Sequence, residues 1–215
     1  MRKQQCDLIP FFLAGDAHFV GKHGFPQLLE THVLPSDAIL PFNYLLTCGS
    51  VQNFWFHFFI DDYQFNRIWN NFDKYLKLLL FCQGCITTDF SLYRDDDTDN
   101  LIWNCLRNRT IAYALQKNGI PIIPTAGFAG ESSWEWCFDG LPSNSTLALT
   151  NNGGRKDKEA QRLFVGGLET LVNLKRPRAL VFCGSYPKWI NSKYPEITIV
   201  QIPSYSQQWK QRRCN

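Results

Sequence analysis

Charged residues are scarce in this chain of 215 residues. Lys, Arg, Asp and Glu make up 19% of it, and the formal net charge is only +3. This balance does not favour the strongly basic surface of many nucleic-acid-binding proteins. Long apolar runs are also missing, since no stretch approaches the roughly 18 residues of a membrane helix. The basic start MRKQQ precedes a short apolar run that Pro10, Gly15 and Asp16 interrupt. We therefore expect neither a membrane span nor a secretory signal.

Metal-binding cysteine patterns are nearly absent as well. Of the eight Cys residues, only Cys82 and Cys85 form a CxxC, and no second CxxC or HxxxH accompanies it. A structural zinc site needs about four ligands, and Cys6 with His18 and His23 is a weak additional set. Buried free thiols are favoured over a zinc or redox pair, because free Cys packs as a small hydrophobe. Reduced thiols and the missing signal predict a cytoplasmic protein.

Aromatic residues, by contrast, are abundant. The chain contains 17 Phe, 8 Tyr and 7 Trp, and 45% of its residues are hydrophobic. This composition is globular, and the length suits one domain. Some of the rings can remain outside the core and form a binding surface.

From residue 51 onward, strand patterns alternate with helical ones. Strands are predicted in NFWFHFFIDD, GCITTD, IPIIPT, STLALT, ALVFCGS and ITIVQIPS, and helices in YQFNRIWNNFDKYLKLLLF, NLIWNCLRNRTIAYALQKNG and KEAQRLFVGGLETLVNL. This alternation predicts an α/β fold with a mainly parallel sheet of βα units, either barrel-like or doubly wound. We assign the α/β domain to residues 51–205. An irregular N-terminal extension packed on the core covers residues 1–50, with one strand in AILPFNYLLT, and a loose tail covers residues 206–215. The segment AGFAGESSWEWCFDGLPSN is predicted to be an aromatic loop with a turn at Asp139-Gly140.

Acidic residues recur where the predicted strands end. Asp61 and Asp62 follow the first strand of the domain, and Asp89 follows the second. In parallel α/β folds these positions share the carboxyl edge, where ligands bind. Convergent carboxylates hold Mg²⁺ or Mn²⁺ or divide acid and base roles; helix capping is the alternative. We predict all three as catalytic residues, and Asp61 and Asp89 as ligands of a divalent cation.

An unusual polar group lies within the helix that follows Asp89. Asn104, Arg107, Asn108 and Arg109 stand among apolar residues. Arg107 can pair with Asp89, present a planar fork to a phosphate, or form a purely structural ion pair. We predict Asn104 and Arg107 as part of the catalytic set and Arg109 as a substrate contact.

Further substrate contacts are predicted at the same edge. Trp134 and Trp136 in the aromatic loop can stack on a base. The other predicted contacts are small polar residues that follow strands, namely Ser91, Asn151, Asn152 and Ser185. The glycines of TNNGG can cradle an anion, although a plain turn is their commoner role.

Several of these segments together resemble a known family. FFIDDYQFNRIWNNFDKYL, TTDFSLYRDDD, WNCLRNRTIAYALQKNGIPIIPT, WCFDGLPSNSTLALTNNGG and RPRALVFCGS, spread over about residues 40–185, are similar to an uncharacterised family of phages, plasmids and other mobile elements, domain of unknown function 4417. In that family the second strand typically ends in Pro-Asp-Phe-Ser; here Thr88 replaces the proline, while Asp89, Phe90 and Ser91 match. The resemblance implies a mobile-element origin but no reaction; for a phage-encoded protein, the expected cytoplasm is that of the host cell.

Two functions from different classes fit these observations. The first is an enzyme that acts on a nucleotide or a nucleic-acid phosphate through the carboxylates. The second is a non-enzymatic protein that binds a host defence protein or sequesters a signalling nucleotide. It would present an exposed aromatic patch among Trp134, Trp136, Trp189 and Trp209. A sequence-reading regulator ranks last, because no helix-turn-helix, zinc finger or strongly basic helix is present.

Overall fold

The computed structural model describes residues 9–151, 157–205 and 207. Within them the chain forms short strands and helices of varied length. The strands are β1 (Phe19–Val20), β2 (Phe25–Pro26), β3 (Ile39–Pro41), β4 (Trp55–His57), β5 (Gly84–Ile86), β6 (Ile122–Ile123), β7 (Thr146–Thr150), β8 (Ala179–Cys183) and β9 (Thr198–Ile202). The helices are α1 (Ile9–Ala14), α2 (Asp62–Phe65), α3 (Arg67–Asn70), α4 (Phe72–Leu79), α5 (Thr98–Lys117), α6 (Lys158–Lys175) and α7 (Trp189–Lys193).

Strands β3 to β9 are parallel and stand side by side in the order of the sequence. β3 to β6 form one sheet and β7 to β9 another. A bridge between Thr125 and Ala148 joins the two sheets, and the Ala126 N–H donates to the Ala148 carbonyl at 2.8 Å. A doubly wound sheet requires a reversal of strand order, which this succession lacks. The predicted parallel α/β fold is confirmed, in its barrel-like form.

Side chains of these strands divide between two buried clusters. The inner cluster contains residues from all seven parallel strands and none from a helix: Ile39, Trp55, Phe59, Ile86, Ile123, Ala148, Val181, Cys183 and Ile202. Neighbouring strand residues such as Phe56 and Phe182 point the other way and pack with helix residues such as Leu115 and Leu168. Crossovers between parallel strands are almost always right-handed, and such crossovers between strands in sequence order put their helices on the same face. The inner faces therefore bury their apolar side chains against one another. Among the described strands none pairs β3 with β9, so the barrel is open there.

Residues 9–50 contribute to the same sheet and core. β3 is its edge strand, and the antiparallel β1–β2 hairpin and α1 contact α5. The backbone of Leu29 exchanges two hydrogen bonds with the side chain of Gln116, at 2.8 and 3.0 Å. The barrel thus starts before residue 51. Most of the predicted tail, residue 206 and residues 208–215, lies outside the described residues.

The helical regions differ in how closely they follow the sequence pattern. α5 begins after Asp97 and ends before Gly119, whose φ is +79°, close to the predicted ends. In contrast, the single helix predicted between β4 and β5 is three short helices. Asn71 between α3 and α4 has a φ of −150° and a ψ of 63°, outside the helical region, and Asn is a weak helix former because its amide competes for backbone hydrogen bonds. No helix in the described ranges is long and apolar enough to span a membrane.

The loop between β6 and β7 contains the turn predicted at Asp139-Gly140. The Leu141 N–H donates to the Phe138 carbonyl at 3.2 Å across this turn. Gly140 has a φ of +76°, and a Cβ there would lie 2.5 Å from the carbonyl oxygen of Pro26. Only glycine fits this close approach between the aromatic loop and β2.

Candidate functional site

A cavity of about 710 Å³ lies at the carboxyl edge of the barrel. Its walls come from the chain after β4, β5, β6 and β9, from the end of β7, and from the first turns of α6. The cavity is both acidic and aromatic. Its carboxylates are Asp61, Asp89 and Asp95, and its rings are Phe59, Tyr93, Phe128, Phe164 and Tyr205. Consecutive parallel strands bring these distant segments to one edge.

Asp89 is the distinctive group of this cavity. It follows β5, is partly buried, and accepts no hydrogen bond from the described residues. Burial and, second to it, the nearby charge of Asp62 raise the pKa of its carboxyl group, Arg109 opposes them, and the resulting pKa is about 7. Asp89 can therefore gain or lose a proton near neutral pH, and it faces a space large enough for a ligand.

Helix α5 holds the backbone that follows Asp89. The amide of Asn108 accepts from the Phe90 N–H at 2.8 Å and donates to the Phe90 carbonyl at 3.3 Å. The Asn104 amide donates to the Ser91 carbonyl at 2.7 Å. These contacts satisfy backbone groups that would otherwise be unpaired near the core. Asn104 and Asn108 thus hold in place the loop that carries Asp89.

Asp62 and Arg107 hold the same loop from its other side. Asp62 accepts from the Ser91 backbone N–H at 3.2 Å and from the Ser91 hydroxyl at 2.9 Å. Arg107 donates to the side chains of Asn66 and Asn104, and its guanidinium lies 3.6 Å from the centre of the Phe90 ring. The acidic side chain close enough to interact with the charge of Arg107 is that of Asp62. Arg107 therefore does not form the pair with Asp89 that the sequence suggested.

Arg109 is buried beneath the site. Its guanidinium donates to the backbone carbonyls of Thr125 at 3.2 Å, Cys137 at 2.7 Å and Asp139 at 3.0 Å. Only 2% of the residue is exposed. In this arrangement Arg109 ties the aromatic loop to the end of β6 and supplies positive charge near Asp89, rather than facing the cavity.

Asp61 also lines the cavity. It is exposed and accepts one hydrogen bond from Gln64 at 3.1 Å. The structure thus brings two of the predicted acids, Asp61 and Asp89, to one cavity. Carboxylate oxygens of this kind suit Mg²⁺ or Mn²⁺, which complete their shell with water. In the described part of the chain, no three Cys, His, Asp or Glu side chains are grouped as a metal site.

The remaining predicted contacts do not gather at the cavity. Trp136 is 7% exposed and packs on His23 and Phe25, with ring centres 5.4 and 6.3 Å away. Trp134 is half-buried, and its ring packs on Gly166 of α6. Two other predicted contacts and one residue of the proposed aromatic patch lie elsewhere: Asn151 is buried, Ser185 is exposed after β8, and Trp189 is half-buried in α7. The predicted contact Asn152 lies outside the described residues.

Trp209 also lies outside the described residues. Because only 7% of Trp136 is exposed, it offers little surface to a base or a partner. The aromatic surface of the site is instead formed by Phe and Tyr residues of the cavity wall.

Several residues that shape the site are not distinguished by the sequence. Arg94 forms a two-pronged pair with Asp157 at 3.2 and 3.0 Å, linking the β5 loop to the start of α6. Phe164 of α6 belongs to an ordinary helical stripe in the sequence, and only the fold places it in the cavity wall. His57 at the end of β4 is fully buried, and burial lowers its pKa to about 3, so its imidazole is neutral.

Comparison with known proteins identifies the family of the chain. The family described as Domain of unknown function (DUF4417) matches residues 17–203. The chain belongs to this family. The Gene 1 protein of Mycobacterium phage D29 is 35% identical over 157 residues, which are 73% of this chain and 56% of the phage protein. The Gene 1 protein of Mycobacterium phage L5 is 34% identical over 157 residues, 73% of this chain and 66% of its own length.

The family resemblance of the sequence motifs is thereby confirmed. Both relatives are phage proteins, in agreement with the mobile-element origin that the motifs imply. The chain spans between about half and two thirds of the length of these relatives. No solved structure matches it.

Proposed function

We propose that the protein is an enzyme that acts on a nucleotide, free or at the end of a nucleic acid, in the cavity at the carboxyl edge. The observation that carries this proposal is the state of Asp89. Its carboxyl group has no protein partner among the described residues, lines the cavity, and has a pKa of about 7. A general acid–base catalyst is most effective when its pKa lies near the working pH.

The size and the walls of the cavity support a nucleotide as the substrate. Small-molecule sites occupy about 300–1,000 Å³, and this cavity has about 710 Å³. Phe128 and Phe164 are close together, with ring centres 5.9 Å apart, and both line the cavity. Aromatic rings of this kind stack on bases of any sequence. Phe164 is buried behind Phe128, so the base would contact the partly exposed ring of Phe128, and the reacting group would lie beside Asp89.

The charge of the cavity defines what a phosphate would need there. Among the described residues, three carboxylates and one arginine line it, and this arginine, Arg94, is paired with Asp157. A phosphate beside Asp61 and Asp89 would be repelled unless a divalent cation lay between them. Mg²⁺ or Mn²⁺ held by Asp61 and Asp89 is the cofactor that we propose for a phosphate reaction; without it, Asp89 acts as a proton carrier alone.

Thermal unfolding together with a turnover assay tests this function. Wild type, Asp89→Asn and Asp61→Asn are heated with nucleoside mono-, di- and triphosphates, with and without Mg²⁺ or Mn²⁺. Asp37→Asn is the matched control, because Asp37 is an exposed acid at the opposite, amino edge. A nucleotide that binds the folded state raises the melting temperature. We expect such a rise in wild type and in the control.

The variants separate the possible roles of Asp89. If Asp89 is an acid–base group, the Asp89→Asn variant should still bind the nucleotide, and its turnover should fall by about 10²- to 10⁴-fold. If Asp89 is instead a cation ligand together with Asp61, either Asp89→Asn or Asp61→Asn should remove the cation-dependent rise in melting temperature. Binding without turnover in wild type would instead indicate a sequestering protein. If no nucleotide raises the melting temperature of wild type, the proposed substrate class is wrong.

A further inference from the structure

Two thiols meet at the amino edge of the barrel, at the opposite ends of the strands from the cavity. Cys82 lies in the turn after α4, and Cys85 lies within β5. Their Sγ atoms are 3.7 Å apart, and Cys82 Sγ also contacts the Gly84 carbonyl oxygen at 3.5 Å. Both are free thiols. A disulfide has an S–S distance of about 2.05 Å, so a small side-chain movement would join them.

The two thiols differ in access. Cys82 is partly exposed, and Phe81 and Leu80 just before it are 70% and 49% exposed. Cys85 is fully buried. An oxidant in solution can therefore reach Cys82 and not Cys85.

The two thiols also differ in acidity. The hydrogen bond from Cys85 lowers the pKa of the Cys82 thiol, against the opposing effect of burial. The same hydrogen bond and burial raise the pKa of Cys85 well above its ordinary value. The thiolate is the attacking species in disulfide exchange. The accessible thiol is thus also the one suited to attack.

We propose that Cys82 and Cys85 are a redox-active dithiol that a disulfide oxidant converts reversibly into an intramolecular disulfide. Cys82 thiolate attacks one sulfur of the oxidant, whose S–S bond breaks and whose other half leaves as a thiol after taking up a proton. Cys85 then loses its proton and attacks Cys82 Sγ, which releases the second half as a thiol. Two protein thiols are oxidised and one disulfide is reduced to two thiols. This activity is independent of the carboxyl-edge site.

A zinc site is the other common use of a CxxC pair. It needs about four ligands. In the described ranges no third Cys, His, Asp or Glu joins Cys82 and Cys85 as a group able to hold a metal. A close pair with no further ligand, one member accessible and one buried, fits disulfide exchange better than metal binding.

Equilibration of the full chain with mixtures of reduced and oxidised glutathione tests the proposal, with intact-mass and peptide analysis after acid quenching. Wild type is expected to lose two hydrogens and to yield a Cys82–Cys85 disulfide peptide. The lone thiol Cys48 is the internal control, since it is also partly exposed. It is expected to stay free in mixtures that oxidise the pair. Addition of excess dithiothreitol should restore both thiols.

Two variants identify the order of the steps. In Cys85→Ala, which keeps a small apolar side chain at a buried position, Cys82 is expected to retain one glutathionyl group because no second thiol releases it. In Cys82→Ser, Cys85 is expected to remain unmodified. A stable glutathionyl group on wild-type Cys82, or oxidation of Cys48 in the same mixtures as the pair, would overturn the proposal. The measurements on the wild-type dithiol and on Cys48 test the proposal even if the Cys85→Ala variant does not fold.

Discussion

Asn108 pairs with both backbone groups of Phe90, accepting from its N–H at 2.8 Å and donating to its carbonyl at 3.3 Å. The residue before Phe90 is Asp89, whose carboxyl group lines the cavity. One amide on α5 thus holds the backbone of the candidate catalytic loop. The loop cannot shift without leaving buried polar groups unpaired, so the position of Asp89 depends on the core.

Asn108→Ala is expected to destabilise the protein by about 2–3 kcal/mol, because it leaves the N–H and the carbonyl of Phe90 without partners. The measurement is the free energy of unfolding from urea titration. Asn100→Ala is the matched control, since Asn100 is an exposed amide on the same helix and is expected to change stability by less than about 0.5 kcal/mol. Equal effects of the two substitutions would mean that Asn108 does not hold the loop.

Asp89 is expected to make the protein less stable as the pH rises. Its pKa is about 7 in the folded chain against an ordinary value of 3.8, so the folded state binds the proton more tightly. Its contribution to the free energy of unfolding is therefore full below about pH 4 and is lost as the pH rises through about 7. Each pKa unit corresponds to about 1.4 kcal/mol.

Asp89→Asn is accordingly expected to be more stable than wild type at about pH 8, by up to about 4 kcal/mol. This advantage should shrink as the pH falls toward about 4. Urea titration across this pH range measures it. Asp37→Asn should follow the wild-type pH dependence, because Asp37 is exposed. An Asp89→Asn curve parallel to wild type would contradict the raised pKa.

Arg109→Lys is expected to cost about 3–5 kcal/mol, although it keeps the positive charge. Lysine cannot reproduce the planar fork that donates to three separate carbonyl groups, those of Thr125, Cys137 and Asp139. Arg178→Lys is the control, because Arg178 is exposed and should change stability by less than about 0.5 kcal/mol. A small loss for Arg109→Lys in chemical denaturation would show that charge alone suffices there.

Gly167→Ala is expected to destabilise the protein by about 1–3 kcal/mol through overpacking. A Cβ on Gly167 would lie 2.3 Å from the ring of Phe128, which lines the cavity. Gly130→Ala is the matched control, because Gly130 has a φ of −76° and nothing within 4 Å of the added carbon. It should be neutral or slightly stabilising. If both variants unfold alike, α6 does not press closely on Phe128.

Much of the fold follows from local sequence patterns. The apolar strand segments, the helical spacing of α5 and α6 and the turn at Asp139-Gly140 all appear near their predicted positions. Sheet geometry alone was sufficient to place Asp61 and Asp89 at one edge, because strands that run in parallel end on the same side. The choice between a barrel and a doubly wound sheet was not available from the sequence, since it depends on which strands pair.

The roles of the polar residues could be predicted only in part. An open cleft around Asp61, Asp62, Asp89 and Arg107 would indicate an enzyme, whereas hydrogen bonds among these side chains would indicate a structural scaffold. In the structure, two of the four residues lie in each kind of surroundings. Asp61 and Asp89 line the cavity, whereas Asp62 and Arg107 hold the loop through hydrogen bonds. Trp136, predicted to stack on a base, is buried and packs on His23 and Phe25.

The sequence by itself determined the class of fold, the family and the edge at which its acids collect. These depend on hydrophobic periodicity and on motifs that are continuous along the chain. Only the tertiary structure decided which acid accepts no hydrogen bond from the described residues, which arginine is buried and which rings form the cavity wall. Those properties depend on desolvation and on contacts between residues far apart in sequence, such as Arg109 with Asp139 or Phe128 with Phe164. No local pattern encodes them.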